Sequence, residues 1–140
     1  MRPVSTVQRA LQSLRFVHAA FLISVALCAF TLGRIPVNPS RRPTADPFLS
    51  AGVLTLLILG VAFAARLTYV RPALATLRSN PDDAKALLRW RLVAILSALL
   101  ADCVAVIGVI LHVVGGTNVL SGVFLLASAV VLLLWWPRQP

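Results

Sequence analysis

Apolar residues fall in four long runs, Phe16 to Leu32, Phe48 to Tyr69, Leu92 to Val114 and Val119 to Trp136, and the polar and basic residues gather between them. The third run is the most sharply drawn, apolar throughout except for Ser97, Asp102 and His112. Wound as a helix, it covers about 34 Å, enough to cross a hydrocarbon core of about 30 Å. The pattern predicts an all-α fold: a polytopic membrane protein with four transmembrane helices in an antiparallel bundle. Residues 1–140 form one membrane domain, with spans at 16–32, 48–69, 92–114 and 119–136 and a basic hairpin at 70–91.

Local signals bound these runs. Ser5 and Gln8 have the spacing of a capping box. Val7, Leu11 and Leu14 then share one side while Arg9, Gln12 and Arg15 supply polar positions, which predicts first turns lying at headgroup level. Gly33 and Pro36 stop the first span. Its basic flank also suits a signal peptide, but Cys28-Ala29-Phe30 is a poor cleavage pattern and three spans follow, which favours an uncleaved span. Asp46-Pro47 opens the second span with a cap and a first-turn proline. Pro72 predicts a kink or brief break, with a short helix resuming to Ser79. Before the third span, Ser79 or Asn80 is the expected cap, Pro81 the first turn, and Asp82 and Asp83 face the positive end of the helix dipole. Gly115-Gly116 makes a tight turn, and Thr117 or Asn118 caps the last helix.

Composition agrees with membrane residence: 59% of the residues are hydrophobic and 12% charged, at a mean hydropathy of +0.92, too apolar for a water-facing surface. The net charge of +9 raises nucleic acid as a partner, but the basic residues flank apolar runs instead of lining a groove with interleaved aromatics, which excludes that class. They indicate orientation instead. Arg2, Arg9, Arg15, Arg66, Arg71, Arg78, Lys85, Arg89, Arg91 and Arg138 fall on one side, against Arg34, Arg41 and Arg42 on the other. Ten against three places both termini and the hairpin in the cytoplasm, most simply of a bacterial inner membrane. Trp135 and Trp136 anchor the last span at that interface, and Arg66 can snorkel toward it.

Small residues draw a stripe along the third helix: Ala94, Ala98, Ala101, Ala105 and Gly108, continued by His112, at alternating steps of four and three. Such a stripe serves helix packing, either inside a compact bundle or between chains. Within it lies the sharpest chemical signal. Asp102 stands mid-span, where a carboxylate must be protonated, paired, hydrated or turned inward. Ser24, Thr55 and Ser128 are its possible polar partners by depth. Asp102 therefore has three readings: a proton or ion site, a packing hydrogen bond, or a contact with another subunit. The run Asp102-Cys103-Val104-Ala105-Val106-Ile107-Gly108-Val109 resembles the carboxylate helix of the proton- or sodium-carrying ring subunits of rotary ATPases. That resemblance implies ion carriage at Asp102. It extends over these eight residues, and the Gly-rich partner helix of that family has no counterpart here.

His18 and His112 lie roughly 20 Å apart in depth, so they cannot clamp one haem between them. Each is a weak candidate for single-ligand contact with haem, a pigment or a quinone, and more ordinarily an interhelical hydrogen-bonding residue. No cofactor and no metal is expected, since no two strong ligands are assembled. Cys28 and Cys103 fall inside spans as small apolar packing residues. Arg71, Arg78, Lys85, Arg89 and Arg91 form a cytoplasmic surface for anionic lipid or for docking an acidic partner. Together these features predict a non-enzymatic accessory or anchoring subunit, with protein partners in a membrane complex or in a homo-oligomer. The alternative is a proton- or ion-coupled transport component using Asp102.

Overall fold

The computed structural model describes residues 6–35, 45–114 and 117–137. Those residues are almost wholly helical: α1 (Thr6–Arg34), α2 (Ala45–Ala65), a π-helical turn (Arg66–Val70), α3 (Arg71–Ser79), α4 (Ala84–Val114) and α5 (Asn118–Leu134). The expected cap at Ser5, the stop at Pro36, the Gly115-Gly116 turn and the charges of Arg2, Arg41, Arg42 and Arg138 lie outside the described residues.

Of the kink or brief break that Pro72 predicts, the break does not occur, since helix winding passes through it. Proline removes one amide and presses its ring on the carbonyl four residues back, here that of Thr68. The turn before it widens, with the Arg71 amide donating to the Arg66 carbonyl five residues back, and the helix continues to Ser79. Phe48–Ser79 is thus one continuous rod of 32 residues.

Two termini differ from expectation. Neither Ser79 nor Asn80 caps α4, and Pro81 is not in its first turn. Asn80 is extended and its amide still closes α3 on the Thr76 carbonyl at 2.8 Å. Asp83 is the cap, its Oδ1 accepting from the amides of Lys85 at 2.9 Å and Ala86 at 3.0 Å. A carboxylate accepts from two free amides at once, which Ser79 cannot match from outside the turn. At the other end of the chain α5 stops at Leu134, two residues short of Trp136. Thr117 caps its start, accepting from the Leu120 amide at 3.3 Å.

Helix α4 is the centre of the packing. It touches α1, α2, the π turn, α3 and α5, and α1 also touches α5. The small-residue stripe is consumed within the chain: Ala98, Ala101 and Ala105 are fully buried with Val25 and Leu32 of α1 and Leu125 and Leu132 of α5. Gly108 shows how closely the backbones approach. A Cβ there would lie 2.9 Å from Phe124 Cβ and 3.0 Å from the Ser121 carbonyl oxygen. α2 is different, since among the helices it meets only α4 and its own continuation, through Ala51, Thr55 and Ala62. The four helices therefore do not close a symmetric bundle: three pack mutually and α2 stands to one side.

A second core lies at the basic end. Ala10, Leu11 and Leu14 of α1 pack with Val70, Ala73 and Leu77 and with Ala86, Trp90 and Ala94 of α4. The first turns of α1 use the apolar face the sequence marks, and bury it in this core beside α4. α1 and α4 are about 43 and 46 Å long, some 13–16 Å more than a hydrocarbon core needs, and the excess builds this small platform.

Outside the cores the polarity is inverted relative to a protein in water. Phe16, Ile23, Leu27, Leu56, Phe63, Ile110 and Leu126 are all more than half exposed, while Ser97, Ser121 and Ser128 are buried. α1, the Phe48–Ser79 rod and α4 are each long and apolar enough to cross a membrane, and α5 is an apolar helix of 17 residues, about 25 Å.

Candidate functional site

Polar groups inside the apolar belt fall into three places. The middle one is Asp102 on α4, about 15 Å from Leu92 by helical rise. The Ser24 hydroxyl on α1 donates to its Oδ2 at 3.3 Å, while Oδ1 is buried without a hydrogen-bonding partner. Of the three partners expected by depth, only Ser24 reaches it. Thr55 and Ser128 are buried with no hydrogen bond to Asp102 or any other group, because helix rotation turns them toward other seams. Beside the pair a groove of about 340 Å³ runs along α1 and reaches α4, lined by Ala20, Ser24, Cys28, Thr31 and Val109. Cys28 and Cys103 are free thiols.

The two histidines sit at opposite ends. His112 hydrogen-bonds through Nε2 to the Ile35 carbonyl at 3.2 Å, so that nitrogen carries the proton and the buried Nδ1 is left as an unpartnered acceptor. His18 donates from Nδ1 to the Leu14 carbonyl at 3.1 Å, leaving its buried Nε2 bare. Its ring meets Trp136 edge-on, with centroids 6.2 Å apart. Among the described residues no three His, Cys, Asp or Glu side chains gather at one point.

Near His18 lies the third place, which the sequence did not single out. Arg66 lies in the π turn after α2, half-buried, with its guanidinium against α4 and the segment after α5. Its Nη1 donates to Ser97 Oγ at 3.2 Å, and its guanidinium carbon lies 4.9 Å from the centre of the Trp135 ring. Ser97 accepts there because its own proton goes back to the Val93 carbonyl. One arginine thus ties α2, α4 and the segment after α5 together, by a hydrogen bond and a cation–π contact. The three residues are distant in sequence, and the only hint was that Arg66 and Trp135 fall at the same membrane level.

The remaining basic residues, Arg71, Arg78, Lys85, Arg89 and Arg91, are all exposed on the platform. Arg91 reaches Ser13 of α1 at 3.5 Å. Two grooves flank the hairpin. One of about 230 Å³ is lined by Tyr69, Thr76, Asp83, Lys85 and Arg89. The other, of about 310 Å³, is lined by Arg66, Arg78, Trp90, Trp135 and Trp136 over an apolar floor.

Fold and polar sites define the class: an all-helical protein built as a membrane helical bundle, with three helices long and apolar enough to span. No protein family matches this chain, and no curated protein or solved structure matches it either.

Proposed function

We propose that this protein is a non-enzymatic accessory or anchoring subunit of a membrane complex, crossing a bacterial inner membrane four times with both termini in the cytoplasm. The observation that carries the reading is the platform at the basic end. Three helices extend past the apolar belt and pack a core of their own, and the surface they hold up is basic. A protein that only needed anchoring charges has no use for a packed extension, whereas a rigid positive surface suits an acidic cytoplasmic partner or anionic lipid. The fourth crossing is supported by α5, whose outer face from Val119 to Leu134 is apolar and which lies along the same stripe of α4 as α1. A short α5 crosses by local thinning of the bilayer, with Trp135 and Trp136 at the interface.

The test is purification from the native membrane in mild detergent, followed by the intact mass of the assembly. Defined partners that leave as salt rises, and leave at low salt when Arg71, Lys85 and Arg89 are reversed in charge, support the reading. An isolated monomer at every salt concentration refutes it. Cysteine substitutions at Lys85 and Val119 test the topology, since only the first should be labelled from the cytoplasmic side.

A second reading is a proton- or ion-coupled transport component, favoured by the mid-belt Asp102 with one oxygen on Ser24 and the other unpartnered. Flux into vesicles that survives Asp102→Asn unchanged would dispose of it.

A further inference from the structure

We propose that the groove lined by Arg66 and Arg78 binds one anionic phospholipid, with its headgroup among these basic residues and its acyl chains along α4 between α2 and α5. Three observations converge. The charges come first. Arg66 spends one N–H on Ser97 and its face on Trp135, and neither it nor Arg78 has a carboxylate partner among the described residues. The companion groove across the hairpin contains the carboxylate of Asp83, which repels an anion; this one has no acid in its wall.

Shape comes second. α2 and α5 both pack on α4 without touching each other, and the groove where they part has an apolar trough of Val70, Leu74, Ala94 and Leu134. The Arg66–Trp135 contact bridges its basic end. A cationic cap on an apolar trough has the two-part chemistry of a lipid, and free phosphate would leave the trough unfilled.

Depth comes third. All three tryptophans of the chain, Trp90, Trp135 and Trp136, line this one groove. Indole rings favour the headgroup level, where one end is apolar and the other wet. Arg78 lies three turns beyond Arg66, about 18 Å by helical rise, and lines the same groove. The proposal does not depend on whether the chain has protein partners.

The same tryptophans provide the measurement. The full chain is placed in phosphatidylcholine vesicles containing phosphatidylglycerol, with bromine on the acyl chains of one lipid or the other, and quenching is compared within each variant. In the wild type, brominated phosphatidylglycerol should quench well above brominated phosphatidylcholine at equal mole fraction. Arg66→Gln and Arg78→Gln should each lower that selectivity about fivefold, the weight of one basic residue at an anionic membrane surface. Arg9→Gln, exposed on α1 and outside both grooves, should leave it unchanged. Equal quenching by the two lipids in the wild type overturns the proposal. So does an equal loss in Arg9→Gln, which would mean diffuse attraction, or displacement by soluble glycerol phosphate, which would mean that the trough contributes nothing. Should Arg66→Gln fail to fold, Arg78→Gln on the exposed hairpin decides alone.

Discussion

Gly108 sets the distance between α4 and α5, and replacing it with alanine should destabilise the protein although alanine is the better helix former. A Cβ at this position would meet Phe124 Cβ at 2.9 Å and the Ser121 carbonyl oxygen at 3.0 Å, where ordinary contact begins at 3.4 Å. Neither obstacle is the end of a flexible side chain, so the helices must part by about half an ångström. That loosens the contacts of Ala101, Ala105 and Leu125, and overpacking of this kind costs about 1–3 kcal/mol. Against it stands a gain of up to about 1 kcal/mol in helix propensity. With the full propensity gain the net loss should be up to about 2 kcal/mol, and the gap to the control variants about 1–3 kcal/mol. Gly60 and Gly122 supply the control, since a Cβ at either meets nothing within 4 Å. Their alanine variants should be neutral or up to about 1 kcal/mol more stable. Reversible unfolding in mixed micelles, followed by far-ultraviolet circular dichroism, measures all three. The reasoning fails if Gly108→Ala is as stable as Gly122→Ala.

Other expectations follow from the same contacts. Asp83→Ala should cost about 1 kcal/mol as a lost double cap, while Ser79→Ala and Asn80→Ala cost a few tenths at most, which the same unfolding assay resolves. Asp102→Asn keeps an acceptor for Ser24 and should unfold within about 1 kcal/mol of wild type, whereas Asp102→Arg should abolish folding into the membrane. Arg66→Ala should cost about 1–3 kcal/mol through its hydrogen bond and its place over Trp135, with a shift in tryptophan emission; unaltered emission would argue against the stacked geometry.

Much of this architecture was legible along the chain. The apolar runs located the helices because lipid demands apolar surfaces and internally satisfied backbones. The four-and-three spacing of Ala94 to Gly108 marked the buried face of α4, because only small side chains permit backbones to approach. Depth alone puts Ser24 among the possible partners of Asp102, since helical rise converts sequence position into height. What height does not give is rotation. Thr55 and Ser128 share the level of Asp102 yet face other seams, and the choice among the three depended on how each helix turns about its axis.

Sequence by itself therefore determined that the chain is helical and apolar enough for a membrane, which end is basic, and which residues of α4 are closely packed. Those are properties of single helices. Tertiary structure decided what joins them: that the stripe is spent within the chain, that α2 stands apart from α1 and α5, that Pro72 is absorbed by a widened turn, and that the ends of α1, α3 and α4 make a core beyond the belt. It also decided that Arg66, Ser97 and Trp135 meet. The physical reason is that each of these contacts depends on the relative rotation and axial shift of separate helices, which short-range propensity and hydropathy leave free and which packing against α4 selects.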